Sequence, residues 1–207
     1  METEKNMKIG IMGGTFNPIH TGHLLLAEYA KEACGLDKVI FIPTGNSYMK
    51  DAKEIVSGEM RLQMVELAIQ GVEGFESSAI EIQREGNTYT CETLPLLKEK
   101  YPGAKLYFLT GADSFLNIQK WRHPEIIFAN AALVVVTRDD VSYETLSAHK
   151  DLLLQQFGGE VELVSFPTID ISSTDIRSRV KEGKSIRFQV PDSVREFIEE
   201  NGIYEGI

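Results

Sequence analysis

The chain has 207 residues, of which 43% are hydrophobic and 25% charged, and its formal net charge at pH 7 is −10. That length gives one domain, or one domain with a small appendage, and the composition is that of a soluble globular chain with a substantial core. The acidic balance argues against a broad nucleic-acid surface, whose footprint is basic, while a local group of Lys, Arg and helix N-termini can still hold a small phosphate compound.

Residues 1–6 are polar and read as a flexible tail without the apolar core of a signal peptide. The strand-like run over 7–12 ends in Gly13 and Gly14, and Thr15-Phe16-Asn17-Pro18 turns the chain into a helix predicted over 21–34. Strand, glycine turn and helix is the arrangement that offers backbone N–H groups and a helix N-terminus to phosphate. His20 and His23, three apart at the helix entrance, can aim both rings at one anion, and Gly22 between them removes bulk. The string is not a P-loop, because no Gly-Lys-Ser/Thr follows, and it lacks the third glycine of a dinucleotide fingerprint. Gly35 is placed to end the first helix.

A second strand is expected over 38–43, followed by the string containing Lys50, a candidate for reaching phosphate. A helix over 58–70 has Ser57 as a candidate N-cap, and a weaker third strand is read over 79–83 from the alternation of Ile80 and Ile82. Tyr89, Thr90, Cys91 and Glu92 open a helix over 90–100, whose first turn can cap itself or bind a polar ligand. After the strand at 105–110, Gly111 allows close approach of a ligand, and Asp113 either accepts from ribose hydroxyls or caps a helix. Trp121, the only tryptophan, stands among Lys120, Arg122, His123 and Pro124, which suits a partly exposed ring able to stack on a flat ligand.

A helix over 124–130, a strand over 132–137, a helix over 143–157 and a strand over 161–166 complete the alternation. Ile171, Ser172, Ser173 and Thr174 then start a helix over 173–182, with Arg177 one turn in and facing the same way as Ser173. Hydroxyls, N–H donors and a guanidinium near one point make a polyphosphate site. Pro191 fits the first turn of a last helix over 191–200. The pattern specifies an α/β fold, a Rossmann-like parallel sheet sandwiched by helices, as a single domain over 7–207 with a helical C-terminal portion at about 168–207. Its ligand belongs beyond the carboxyl ends of the central strands. Cys34 and Cys91 have no metal-type spacing and suit a reducing compartment, and the longest apolar run, 131–136, is strand-length; a cytoplasmic protein without a membrane partner is expected.

The histidine string resembles the His-x-Gly-His signature of the nucleotidyltransferase superfamily, here His20-Thr21-Gly22-His23. With Tyr89-Thr90-Cys91-Glu92-Thr93-Leu94, Gly111-Ala112-Asp113-Ser114, Trp121 and Ile171-Ser172-Ser173-Thr174-Asp175-Ile176-Arg177, the chain resembles the bacterial nicotinate-mononucleotide adenylyltransferases from residue 7 onward. The resemblance implies adenylyl transfer from ATP, with Mg²⁺ carried on its phosphates, to nicotinate mononucleotide, by direct displacement at the α-phosphorus. It implies catalytic roles for His20, His23 and Arg177. It places ATP against Gly13, Gly14, Thr15, Phe16, Lys50, Gly111, Asp113, Ile171, Ser172, Ser173 and Thr174. It places the mononucleotide against Thr90, Cys91, Trp121 and Arg122, with no dedicated protein metal site. No nucleic-acid partner is implied, and a homo-oligomer is left open. Asn17 stands where the family often has Asp, and Met49 where it commonly has His. Rival readings are another adenylyl- or cytidylyltransferase of the superfamily, a non-catalytic nucleotide sensor on the same fold, and a nicotinamide-dependent dehydrogenase, which the missing glycine fingerprint disfavours.

Overall fold

Near-continuous apolar runs bury both faces of a strand, and such strands pair in parallel beneath covering helices. The computed structural model, which describes residues 6–45, 55–137, 141–167 and 169–205, follows that rule. Its elements are β1 (Lys8–Gly14), α1 (Thr21–Cys34), β2 (Lys38–Pro43), α2 (Gly58–Ile69), β3 (Phe75–Ser77), α3 (Thr90–Lys100), β4 (Lys105–Gly111), α4 (Ala112–Asn117), a 3-10 turn (Ile118–Lys120), α5 (Pro124–Asn130), β5 (Ala132–Thr137), α6 (Tyr143–Phe157), β6 (Val161–Ser165), α7 (Ser173–Lys181) and α8 (Asp192–Glu200). The strands form one sheet in the order β3-β2-β1-β4-β5-β6. β1 with β4, β4 with β5 and β5 with β6 run parallel, with Lys8 opposite Lys105, Tyr107 opposite Ala132 and Leu133 opposite Val161. This is the Rossmann-like α/β architecture that the sequence predicts.

The chain divides into two compact units. The first is drawn from segments within 1–13, 26–40 and 89–168. Leu133, Val134 and Val135 of β5 are fully buried there, and Phe128 stacks on Phe157 with centroids 5.2 Å apart. α1 ends at Gly35, whose φ of +58° is the left-handed conformation that favours glycine. The Lys8 N–H donates to the Asp37 carboxylate at 2.7 Å, which fixes the start of β1 against the exit of that helix.

The second unit is drawn from 14–25, 41–88 and 169–207. Phe41 is its fully buried anchor, with Phe75 at 5.1 Å and Phe16 at 6.0 Å. Removing a side chain of this kind costs about 3–5 kcal/mol. Ser57 caps α2 by accepting the Met60 N–H at 3.3 Å, as expected. Ser193 Oγ donates to the Leu67 carbonyl at 3.0 Å and ties α8 to α2.

Three expectations are corrected. The third strand is Phe75–Ser77, and residues 79–84 form turns in which Gln83 N–H donates to Ala79 and Arg84 N–H to Glu81. The alternation of Ile80 and Ile82 therefore reflects a compact turn rather than a pleat. α4 and its 3-10 continuation, which the sequence offers only through Asp113 as a candidate cap, follow β4 directly with Gly111 as the N-cap, so Asp113 lies inside the helix rather than capping it. Pro191 is the N-cap of α8 rather than its first residue, and its carbonyl accepts from Val194 and Arg195. Among the described residues no helix is long and apolar enough to cross a membrane.

Candidate active site

The turn between β1 and α1 is gripped by side chains from the two other segments of the second unit. Arg61 Nη1 donates to the Thr15 carbonyl at 2.8 Å, Arg177 Nη1 to the Asn17 carbonyl at 3.0 Å, and Ser173 Oγ to the Pro18 carbonyl at 2.9 Å. Asn17, itself buried, accepts at Oδ1 from the Tyr204 hydroxyl at 2.9 Å and from the Val56 N–H at 3.3 Å. The Asn17–Pro18 bond is cis. Phe16 has a φ of +48° and a buried ring, and that ring lies 3.0 Å from where a Cβ on Gly14 would stand. A side chain at position 14 would crowd that ring and force it to shift.

His20 and His23 are brought together as their spacing predicts. Their rings stack with centroids 3.6 Å apart and planes 25° apart, and the Phe16 ring meets His23 edge-on at 5.1 Å. The His20 N–H donates to His23 Nδ1 at 3.2 Å, which assigns the proton of neutral His23 to Nε2. Gly22 leaves room for protein as well as ligand: a Cβ there would stand 3.1 Å from His20 Nδ1. The Thr21 amide already donates to the Gln189 carbonyl at 2.8 Å, so the first turn of α1 does not offer all its N–H groups to a ligand.

Ser172 is the N-cap of α7 and accepts from the Asp175 N–H at 3.1 Å. Arg177 Nη2 also reaches Thr174 Oγ1 at 3.4 Å. Ile171 approaches Gly22, with its Cβ 3.9 Å from where a Cβ on that glycine would stand. The string 171–177 thus both braces the turn and carries the guanidinium beside it. Lys50 and Met49 lie outside the described residues.

In the first unit, Gly111, Ala112, Asp113 and Ser114 line a cleft of about 190 Å³ with Leu26, Val136 and Val141. Asp113 is exposed and its carboxylate makes no capping bond. Trp121 is half-buried, edge-on to Phe108 at 6.1 Å. Arg122 lies over the Tyr89 ring at 4.5 Å and pairs with Glu92 at 3.7 Å. Thr90 starts α3 and Cys91 is buried behind it; burial, with Glu92 nearby, pushes the Cys91 thiol up from its ordinary value. The thiol is therefore a packing group, and what this element can offer a ligand is its backbone and Thr90.

Two functional candidates are absent from the sequence reading, Arg61 and Tyr204. Arg61 occupies the buried row of α2 with Met64, Val65 and Ala68, and a charge on an apolar stripe was the available signal. Tyr204 bonds a residue 187 positions away, and no local pattern marks it. Burial pulls Arg61 below the usual guanidinium value and pushes the Tyr204 hydroxyl far above the tyrosine range.

A glycine turn with stacked histidines, closed by a Ser-Ser-Thr helix and its arginine, defines a nucleotidyltransferase. The chain belongs to the cytidylyltransferase-like family, whose model matches residues 11–179, and within it to the nicotinate-nucleotide adenylyltransferases. It is 43% identical over 197 residues to a protein of Lachnoclostridium phytofermentans named "Probable nicotinate-nucleotide adenylyltransferase", covering 95% of this chain and 98% of that one. A protein of the same name from Desulfitobacterium hafniense is 45% identical over 199 residues, covering 95% of each. Among solved structures, the nicotinic acid mononucleotide adenylyltransferase of Plasmodium falciparum, complexed with NaAD, matches with a TM-score of 0.79 at 19% identity. That match covers 97% of this chain and 98% of the other, and it supports the fold.

Proposed function

We propose that this chain transfers the adenylyl group of ATP to nicotinate mononucleotide, giving nicotinate adenine dinucleotide and pyrophosphate in NAD biosynthesis. The observation that carries the reading is the pair of stacked imidazoles, His20 and His23, beside a turn whose carbonyls are drawn inward. A phosphate oxygen of the mononucleotide attacks the α-phosphorus. A new P–O bond forms there as the bond to the β-phosphate bridging oxygen breaks, and pyrophosphate leaves with that electron pair. The acceptor oxygen is already ionised near neutral pH, so the protein's work is alignment and charge stabilisation rather than base catalysis.

His23 donates from Nε2 to a phosphate oxygen as charge develops, with its orientation fixed by the His20 amide at Nδ1. His20 lies stacked against it and acts on the same phosphates. Arg177 neutralises polyphosphate charge from its place against the turn, and Gly13, Gly14, Thr15 and Phe16 supply close backbone contact. Ser172, Ser173 and Thr174 hold α7 and the turn in register, with Ile171 packed beside Gly22. The role of Lys50 as a further phosphate cation rests on the sequence alone. Mg²⁺ carried with ATP would supply charge neutralisation at its phosphates. Among the described residues no group of three or more His, Cys, Asp or Glu side chains converges to hold a metal.

In the first unit, the adenosine end is assigned to the cleft of Gly111 and Asp113, and the pyridine ring to Trp121. The nicotinate carboxylate is assigned to the start of α3, at Thr90 and Cys91, with Arg122 contributing charge. The test is a turnover assay with purified chain, ATP and Mg²⁺, following pyrophosphate, with nicotinate and nicotinamide mononucleotides compared. The expected preference for the acid is on the order of 100-fold in kcat/KM. Equal constants, or preference for the amide, overturn the carboxylate assignment; no turnover with either overturns the reading as an enzyme of this reaction.

A further inference from the structure

Behind the phosphate turn lies a charge that stability alone does not explain. Arg61 is 3% exposed. Its guanidinium donates from Nη1 to the Thr15 carbonyl at 2.8 Å and from Nε to the Val56 carbonyl at 3.1 Å. Among the described residues no ion pair joins it to a carboxylate, and Glu59 and Glu81 act on it only through space. A buried charge without an ionic partner costs several kcal/mol to desolvate.

The bond to Thr15 has a directional consequence. The Thr15–Phe16 peptide is trans, so its C=O and N–H point opposite ways. Drawing the carbonyl onto Arg61 turns the Phe16 N–H away from the interior. Phe16 itself holds a φ of +48°, a conformation that a bulky side chain adopts only when its surroundings impose it. Those surroundings are the buried ring at one end and the Arg61 bond at the other. The second bond, to Val56, fixes the residue whose N–H donates to Asn17 Oδ1. One guanidinium therefore sets both sides of the turn.

We propose that Arg61 is a positioning residue for adenylyl transfer, acting through the Thr15 carbonyl to hold the Phe16 N–H toward the triphosphate of ATP. The inference rests on the ATP reading of this turn given above. It predicts a defect that follows ATP and spares the mononucleotide. In Arg61→Met, ATP binding measured by calorimetry without the second substrate weakens, and kcat/KM for ATP falls at least about ten-fold. KM for nicotinate mononucleotide stays within about two-fold, and the thermal midpoint does not fall in proportion to activity. Arg61→Lys keeps the charge but, as a point donor, serves one carbonyl at a time, and it restores part of the loss. Wild-type ATP binding and kcat/KM in a folded Arg61→Met protein overturn the proposal, as does a defect shared equally by both substrates. Should Arg61→Met not fold, Arg61→Lys decides: wild-type constants for ATP in that variant overturn it. If the unmodified chain neither binds nor turns over ATP, the functional reading fails and this inference with it; an active parent with unaffected variants rejects Arg61 alone.

Discussion

Tyr204→Phe removes a single hydroxyl from a site that is 3% exposed. That hydroxyl donates to Asn17 Oδ1 at 2.9 Å, and the acceptor retains the Val56 N–H at 3.3 Å. Because Asn17 is not stranded, the loss falls at the low end for a buried hydrogen bond, about 1 kcal/mol at pH 7. In a chain of this size that lowers Tm by roughly 2–4 °C. The pH dependence is the sharper readout. Burial raises the Tyr204 pKa far above its ordinary value, and the opposing pull of Arg177 and Arg61 is the smaller influence. In the unfolded chain the phenol ionises near pH ~10, while in the folded chain it stays protonated. The unfolded state then binds fewer protons. The stabilisation is fully present below pH ~10 and declines above it by about 1.4 kcal/mol per pH unit. Phenylalanine has no such dependence. The variant is therefore the less stable protein at pH 7, and the gap closes near pH ~11. Urea melts of both proteins across that range, analysed at constant m, measure the difference directly. Stability curves that stay parallel up to pH ~11 would refute the buried, protonated phenol.

His23→Ala should lower turnover by roughly 100-fold or more, the loss expected for one preorganised donor, and near wild-type turnover in folded protein removes His23 from the chemistry. Gly22→Ala places a methyl 3.1 Å from His20 Nδ1 and should displace the stacked pair, cutting kcat at least about ten-fold with little change in Tm; unchanged kcat shows that the ring position is not critical. Trp121→Ala should raise KM for the mononucleotide much more than KM for ATP, whereas equal changes, or a fall in stability alone, make Trp121 a packing residue. With ATP made chiral at the α-phosphorus, inversion is expected from a single displacement, and net retention rejects it.

The sheet was legible because its strands announce themselves as short apolar runs between helix signals. β2 and β5 are read at their observed limits, and Gly35 and Ser57 end and begin helices as their chemistry requires. Alternation misled at Ile80 and Ile82, where local turn hydrogen bonds replace a strand and the real edge strand is three residues long. α4 was legible only as a candidate cap at Asp113, because six residues behind an uncapped glycine carry too little periodicity. Within the candidate site, residues contiguous in sequence were readable, and His20 with His23 is the clearest case. Arg61 left one local signal, a charge on an apolar helix stripe, but its hold on Thr15, 46 positions away, was not readable, nor was that of Tyr204 on a residue 187 positions away. Ser173 was readable as a site residue, but its hydroxyl is engaged with the Pro18 carbonyl, a contact that local spacing does not reveal.

The bond from Tyr204 to Asn17 also imposes an order of events on biosynthesis. Chains emerge from the N-terminus and domains fold as they appear, so the histidine motif leaves the ribosome well before Tyr204 does. Yet Asn17 acquires its anchor only from a residue made 187 positions later, and closing so long a loop must precede the reward of the contact. The motif is thus made well before it can reach its working geometry, and a chain that stops short of Tyr204 carries the motif without the anchor that holds it.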